Sequence, residues 1–156
     1  MRVLAVDPEE RERPEGVEAI WGMEWFYELL SASDVVCVCA PLTPETEGLF
    51  DRRAFRAMRR HAYLINVTRG GIVGEEALLE ALRDGVIGGA GLDVTPQEPL
   101  PDAHPLWTMP NVVITPHVAG ASQFRLDRGV DLFCENLKRF LKGGPLLAVI
   151  DKRKGY

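Results

Sequence analysis

No apolar run in this sequence approaches the length of a membrane-spanning helix, so no helical span is expected. No basic stripe is present either, and the net charge is −5, which argues against nucleic acid as the main partner. The opening Met1-Arg2-Val3-Leu4-Ala5-Val6-Asp7 lacks a signal-peptide layout, because an acidic residue closes the apolar run almost at once. Cysteine is scarce. The count of 3 is odd and shows no metal-ligand spacing, so we expect neither a disulfide framework nor a metal site. Cys37 and Cys39 alternate within one apolar run, and we expect them on opposite faces of a strand, unable to form a normal bridge. Buried free thiols of that kind fit a reducing compartment, so a cytoplasmic location with no membrane partner is expected. There is no internal repeat and no low-complexity segment.

What is present is an ordinary globular composition. The 156 residues are 46% apolar and 26% charged, enough for one domain with a real core. Apolar runs alternate with helical patterns. The runs Val3–Val6, Val35–Cys39, Ala62–Val67, Gly89–Asp93 and Val112–Thr115 read as buried strands, with a weaker candidate at Val17–Ile20. Helical spacing covers Glu24–Ala32, Asp51–Met58, Glu75–Arg83 and a long stretch from Gln123 to Lys142, which Gly143-Gly144-Pro145 stops. Repeated β-then-α order predicts βαβ units with right-handed crossovers, and hence an α/β fold built on a doubly wound parallel sheet.

In such a sheet, residues just past the carboxyl ends of the strands meet in one crevice. Arg69, Glu98 and His117 all hold that position. A guanidinium can grip a carboxylate through two parallel hydrogen bonds, and Gly70-Gly71 beside Arg69 would let a ligand approach the backbone. The alternative for Arg69 is a surface salt bridge at a tight turn. Histidine can give or take a proton at neutral pH, and a carboxylate on its other ring nitrogen would fix the tautomer. Singly, His117 could be a turn residue after Pro116 and Glu98 an exposed loop residue before Pro99. Together, the trio suits redox chemistry on a small 2-hydroxy or 2-oxo acid. Asp7 ends the first strand, where a carboxylate can accept hydrogen bonds from an adenosine ribose and repel a 2′-phosphate; alternatively it is a turn aspartate before Pro8. Thr43 suits an N-cap with Pro44 at the first helical position, and Ala40, Pro41 and Thr46 sit on the crevice rim. His61 and His104 are taken as surface or packing residues. Arg52, Arg53, Arg56, Arg59 and Arg60 are taken as a solvated helix face.

Ala40-Pro41-Leu42-Thr43-Pro44-Glu45-Thr46, Leu64-Ile65-Asn66-Val67-Thr68-Arg69-Gly70-Gly71, Gly91-Leu92-Asp93-Val94, Glu98-Pro99-Leu100-Pro101 and Asn111-Val112-Val113-Ile114-Thr115-Pro116-His117-Val118-Ala119-Gly120 occur in one order. So many motifs together resemble the D-isomer-specific 2-hydroxyacid dehydrogenases, over nearly the whole chain. The resemblance implies an NAD-dependent oxidoreductase, with NADP less favoured, acting on a small 2-hydroxy or 2-oxo acid, with the full-length form a homodimer. It implies that Arg69 binds the substrate carboxylate, His117 is the acid/base and Glu98 its partner. Cofactor contacts would come from Asp7, Ala40, Pro41, Thr46, Val67, Thr68, Arg69, Asp93, His117 and Gly120, and no metal is implied. By the same resemblance, residues 1–121 form part of a Rossmann domain, and residues 122–156 an interdomain helix and tail that pack on a substrate domain.

The sequence also departs from the family pattern. The family reads strand, Gly-x-Gly-x-x-Gly, helix, then the strand ending in the acidic residue, whereas this sequence opens at that second strand. No Gly-x-Gly-x-x-Gly occurs, so the helix-terminus cradle for a pyrophosphate is not among these residues. We therefore expect an incomplete Rossmann-like sheet and a C-terminal part of a longer enzyme. The alternative is a non-catalytic NAD-binding module, like the corepressors that share the fold.

Overall fold

A computed structural model describes residues 1–9 and 11–154. The chain divides into two compact units, one ending at Pro116 and the other beginning at His117.

The first unit holds two parallel sheets. Strands β1 (Leu4–Val6) and β2 (Ala19–Trp21) pair from Leu4↔Ala19 to Val6↔Trp21. The second sheet runs β3 (Val35–Val38), β4 (Tyr63–Asn66), β5 (Gly89–Leu92), β6 (Val112–Ile114), in that spatial order. β2 lies slightly later than the sequence suggests, because its ladder is set when Glu18 N–H donates to the Val3 carbonyl at 2.8 Å. In the doubly wound order 3-2-1-4-5-6, one further strand would stand between β1 and β3. No strand among the described residues joins the two sheets, so the parallel sheet is partial, as expected.

Three helices connect the strands: α1 (Phe26–Ala32), α2 (Arg52–Ala57) and α3 (Glu75–Arg83). The Asp51 carboxylate starts α2 by accepting the Ala54 N–H at 2.8 Å. α3 opens on Glu75 and Glu76, where acidic side chains complement the helix dipole. It ends on Gly85 at φ 62°, a left-handed conformation that lets the Val86 N–H return to the Ala81 carbonyl. The helix expected after Thr43 does not form. Glu47 N–H does reach the Thr43 carbonyl at 2.9 Å, but Gly48 at φ 64° turns the chain away after this single turn.

All three helices cover one face of the four-stranded sheet. Phe26, Leu30, Ala54, Phe55, Leu78 and Leu82 pack with Val36, Val38, Leu64, Ala90 and Leu92 into one buried cluster. The opposite face carries Val35, Cys37, Tyr63 and Val113, all exposed. β3 thus alternates exposed and buried residues, and β4 nearly so, rather than being buried on both faces as their apolar runs suggest. Tyr63 partly covers this open face, its ring lying over Gly89, where a Cβ would come within 3.1 Å of the Tyr63 ring and 2.5 Å of the Asn111 carbonyl.

The cysteine expectation is also overturned. A strand has a side-chain period of two, so residues i and i+2 share a face. Cys37 and Cys39 lie side by side with their sulfurs 3.7 Å apart, and both are exposed, as is Cys134.

The second unit is dominated by α4 (Arg125–Leu141). Its tail is tied back to the helix by Asn136, whose amide donates to the Leu147 carbonyl at 3.1 Å and accepts the Leu147 N–H at 2.8 Å. Leu126, Phe133, Phe140 and Leu141 on this helix are exposed.

Candidate active site

Because β3 to β6 are parallel and adjacent, their carboxyl ends share one edge, and the loops leaving β3, β4 and β5 there carry Ala40, Pro41, Thr46, Val67, Thr68, Arg69, Asp93 and Glu98. Asn66, the last residue of β4, organises the first of these loops and was not anticipated as a site residue. Its side chain is buried; it donates to the Arg69 carbonyl at 3.0 Å and accepts the Thr68 N–H at 3.1 Å and the Thr68 hydroxyl at 3.2 Å. A polar residue closing an apolar strand just before Arg-Gly-Gly was the available signal, since a buried amide must find such partners. Val67 and Arg69 are left exposed, with the Arg69 guanidinium donating to the Thr68 carbonyl at 2.7 Å.

The next loop, after β5, is locked against the first. A Cβ on Gly70 would run into the Thr95 carbonyl, so only glycine permits this approach of two backbones. Thr95 is buried; its hydroxyl donates to the Gln97 carbonyl at 2.8 Å, and its N–H donates to the Glu98 carboxylate at 3.1 Å. Glu98 is exposed and folded over its own turn. Asp93 is buried at the end of β5, where it accepts the Thr115 hydroxyl at the end of β6. The third loop, Ala40–Gly48, closes on the same edge: Gly48 N–H donates to the Gly71 carbonyl at 2.9 Å, and the Leu42 side chain would lie 3.3 Å from a Cβ on Gly71. Thr46 fixes its shape by donating to the Pro41 carbonyl at 2.7 Å and accepting the Thr43 N–H at 2.8 Å. The structure therefore brings together the loops carrying Ala40, Pro41, Thr46, Val67, Thr68, Arg69, Asp93 and Glu98. His117 and Gly120 belong to the second unit. His117 takes φ 54°, a left-handed conformation uncommon outside glycine and found at sites where backbone strain is retained for function.

Asp7 follows β1, in the smaller sheet. Its carboxylate accepts the Glu9 N–H at 2.8 Å and faces the Arg11 guanidinium at 3.3 Å, so it makes the turn envisaged in the alternative reading. Both remaining histidines meet carboxylates at hydrogen-bond distance: His61 lies 2.8 Å from Asp34, and His104 lies 2.8 Å from Glu75 while its Nδ1 accepts the Leu106 N–H. The Asp34 carboxyl is held below its ordinary value by its hydrogen bonds to His61 and Arg59. Of the arginine cluster, Arg52 binds Glu80 and Glu76, Arg53 lies over the Tyr27 ring and Arg59 binds Asp34. Burial, and then the hydrogen bond from Cys39, push the Cys37 thiol up to about 11 from its ordinary 9.0, which leaves it protonated and a poor nucleophile near neutrality. Gly70→Ala should cost about 1–3 kcal/mol of stability in chemical denaturation, as forced overpacking does, because backbone must move at the junction of the two loops.

A partial parallel sheet whose carboxyl edge gathers an arginine loop and a glutamate loop is an α/β architecture of the kind that binds ligands at that edge. Residues 1–119 match the sequence profile of the D-isomer specific 2-hydroxyacid dehydrogenase NAD binding domain, and the chain belongs to that family. It is 44% identical to the glycerate dehydrogenase of Methylorubrum extorquens over 119 residues, which is 75% of this chain and 38% of the relative. It is 46% identical to the glyoxylate reductase of Thermofilum pendens over 124 residues, 80% of this chain and 37% of the relative. The chain thus spans less than half the length of either. Among solved structures, the NADPH-dependent glyoxylate/hydroxypyruvate reductase of Sinorhizobium meliloti, in complex with NADP and sulfate, superposes with a TM-score of 0.90 at 37% identity, over 99% of this chain and 49% of that one. A D-isomer specific 2-hydroxyacid dehydrogenase of Xanthobacter autotrophicus, in complex with NADPH and MES, gives 0.89 at 36% identity, over 100% and 73%. No helix among the described residues is long and apolar enough to cross a membrane.

Proposed function

We propose that these residues supply the catalytic edge and much of the cofactor-binding edge of an NAD-dependent D-2-hydroxyacid dehydrogenase, which interconverts a small 2-hydroxy acid and its 2-oxo acid. The observation that carries this reading is the locking of the Arg69 loop onto the Thr95–Glu98 loop at Gly70, which sets a cation and a carboxylate at one sheet edge.

The residues present fit part of a dinucleotide. Pro41 and Val67, which are exposed, Ala40 and Thr68, which are half-buried, and the anchored Asp93 suit the nicotinamide side of a cleft, with Gly120 as a further contact. The glycine-rich turn that would cradle the pyrophosphate is not in this sequence. When bound, the reduced dinucleotide supplies hydride to C2 of the oxo acid. Arg69 grips the substrate carboxylate and so orients C2, its charge unaffected by working pH. His117 gives a proton to the oxygen at C2 during reduction and removes it during oxidation. In this reading Glu98 is the carboxylate partner that sets the tautomer of His117. The substrates in view are glyoxylate and hydroxypyruvate, the chemistry in the names of the relatives, and a homodimer is the proposed assembly.

The test is an assay of glyoxylate and hydroxypyruvate reduction with NADH and with NADPH. It uses a complete form that joins these residues to the N-terminal part of the family, its substrate domain, strand, Gly-x-Gly-x-x-Gly and helix. We expect a clear preference for NADH, because the Asp7 carboxylate at the end of β1 would repel a 2′-phosphate. Asp7→Ser should narrow that preference. Equal efficiency with both cofactors before the substitution would reduce Asp7 to the turn residue its contacts with Glu9 and Arg11 already describe.

A further inference from the structure

Cys37 and Cys39 have no part in the proposed chemistry, yet they form a pair with unusual spacing. Cys37 lies in β3 and Cys39 one residue beyond its end, with the two sulfurs side by side, and the partner strand β4 lies on only one side of β3 among the described residues. The sulfurs are 3.7 Å apart and both residues are exposed. Zinc–thiolate bonds are about 2.3 Å long, and in a tetrahedral complex two such sulfurs stand about 3.8 Å apart. The pair is therefore already separated by one edge of a tetrahedron. We propose that Cys37 and Cys39 form a bidentate site for a thiophilic divalent cation of the zinc class.

Thiolate is the ligand type that selects such ions over magnesium or calcium. The described residues contain no group of three or more His, Cys, Asp or Glu able to hold a metal, so the other two positions fall to water or a small external ligand. Binding replaces the S–H···S contact by two metal–sulfur bonds and releases one proton from each thiol. No redox change is involved. The site differs from a disulfide in needing no closer approach of the sulfurs, whereas a bridge requires an S–S bond of about 2.05 Å.

The experiment is a titration of the reduced 156-residue chain with Cd2+, followed by thiolate-to-metal charge-transfer absorption, with proton release recorded and Zn2+ added as competitor. One equivalent per chain should bind, with one proton released per thiol, and Zn2+ should displace it. Cys37→Ser and Cys39→Ser should each weaken binding at least tenfold, while Cys134→Ser should leave it unchanged. Unfolding the chain in guanidinium should also weaken binding at least tenfold, because the fold sets the spacing. No binding, half an equivalent per chain, full binding by either single variant, or equal affinity in the unfolded chain would each overturn the site. Self-association of the chain does not alter a stoichiometry counted per chain.

Discussion

His117→Ala should lower turnover about 100-fold or more, the usual scale for removing a general acid–base and about 2.7 kcal/mol of barrier. The measurement belongs in a complete form that joins these residues to the substrate domain, strand and glycine-rich turn of the family. The proton for the C2 oxygen has no comparable donor in the Arg69 and Glu98 loops: a guanidinium does not release a proton at working pH, and Glu98 is engaged with the Thr95 N–H. Cofactor affinity, read by titration, should change far less than turnover. Arg69→Lys should damage the same reaction differently, mainly by raising KM for the oxo acid, because a point charge cannot reproduce a two-pronged grip. Near-normal kcat in the histidine variant together with near-normal KM in the lysine variant would remove both assigned roles.

The 156 residues by themselves should show no measurable NAD binding in calorimetry and no dehydrogenase activity. Two features combine here. The sequence holds no glycine-rich turn for the pyrophosphate, so a dinucleotide loses its charge-neutralising contacts. The chain also exposes apolar surface on both units. Val35 is 56% and Val113 68% exposed on the open sheet face, and Leu126 at 81% and Phe140 at 70% line α4. Patches of that kind favour self-association, and β3 adds a free strand edge. Analytical ultracentrifugation should show species larger than a monomer. In-frame addition of an N-terminal segment carrying the family's substrate domain together with the strand, Gly-x-Gly-x-x-Gly and helix should restore NAD binding and activity. A monodisperse monomer of these residues that binds NAD at micromolar concentration would contradict this account.

Much of the architecture was legible in the sequence because it rests on local signals. Glu75–Arg83 is bounded by acidic residues at one end and glycine soon after the other, and the helix occupies those residues. The strand runs were visible as apolar blocks, although each lost a residue or so at its ends to the loops it feeds. What sequence could not convey was sidedness. A run such as Val35-Val36-Cys37-Val38 looks the same whether one face or both are covered, and here only the face toward α1, α2 and α3 is. Misjudging the two-residue period put the cysteines on opposite faces. The turn at Thr43 carried good capping residues but lacked the length for a helix, because Gly48 intervened. In the candidate site, Arg69 and Glu98 stood out by chemistry. Asn66 did not, since its work is internal: it shapes the arginine loop through hydrogen bonds that only the folded backbone defines.

The smaller sheet has a thermodynamic consequence. β1 and β2 meet over three residue pairs, and no other strand shares their ladder among the described residues. Such a sheet can open without disturbing the cluster around Leu30, Phe55 and Leu64. Amide protons of Ala5 and Trp21 should therefore exchange with deuterium well before those of Leu64 and Leu92. A single melting temperature would then average over two events of different stability, and the value obtained would depend on which part of the chain the probe reports.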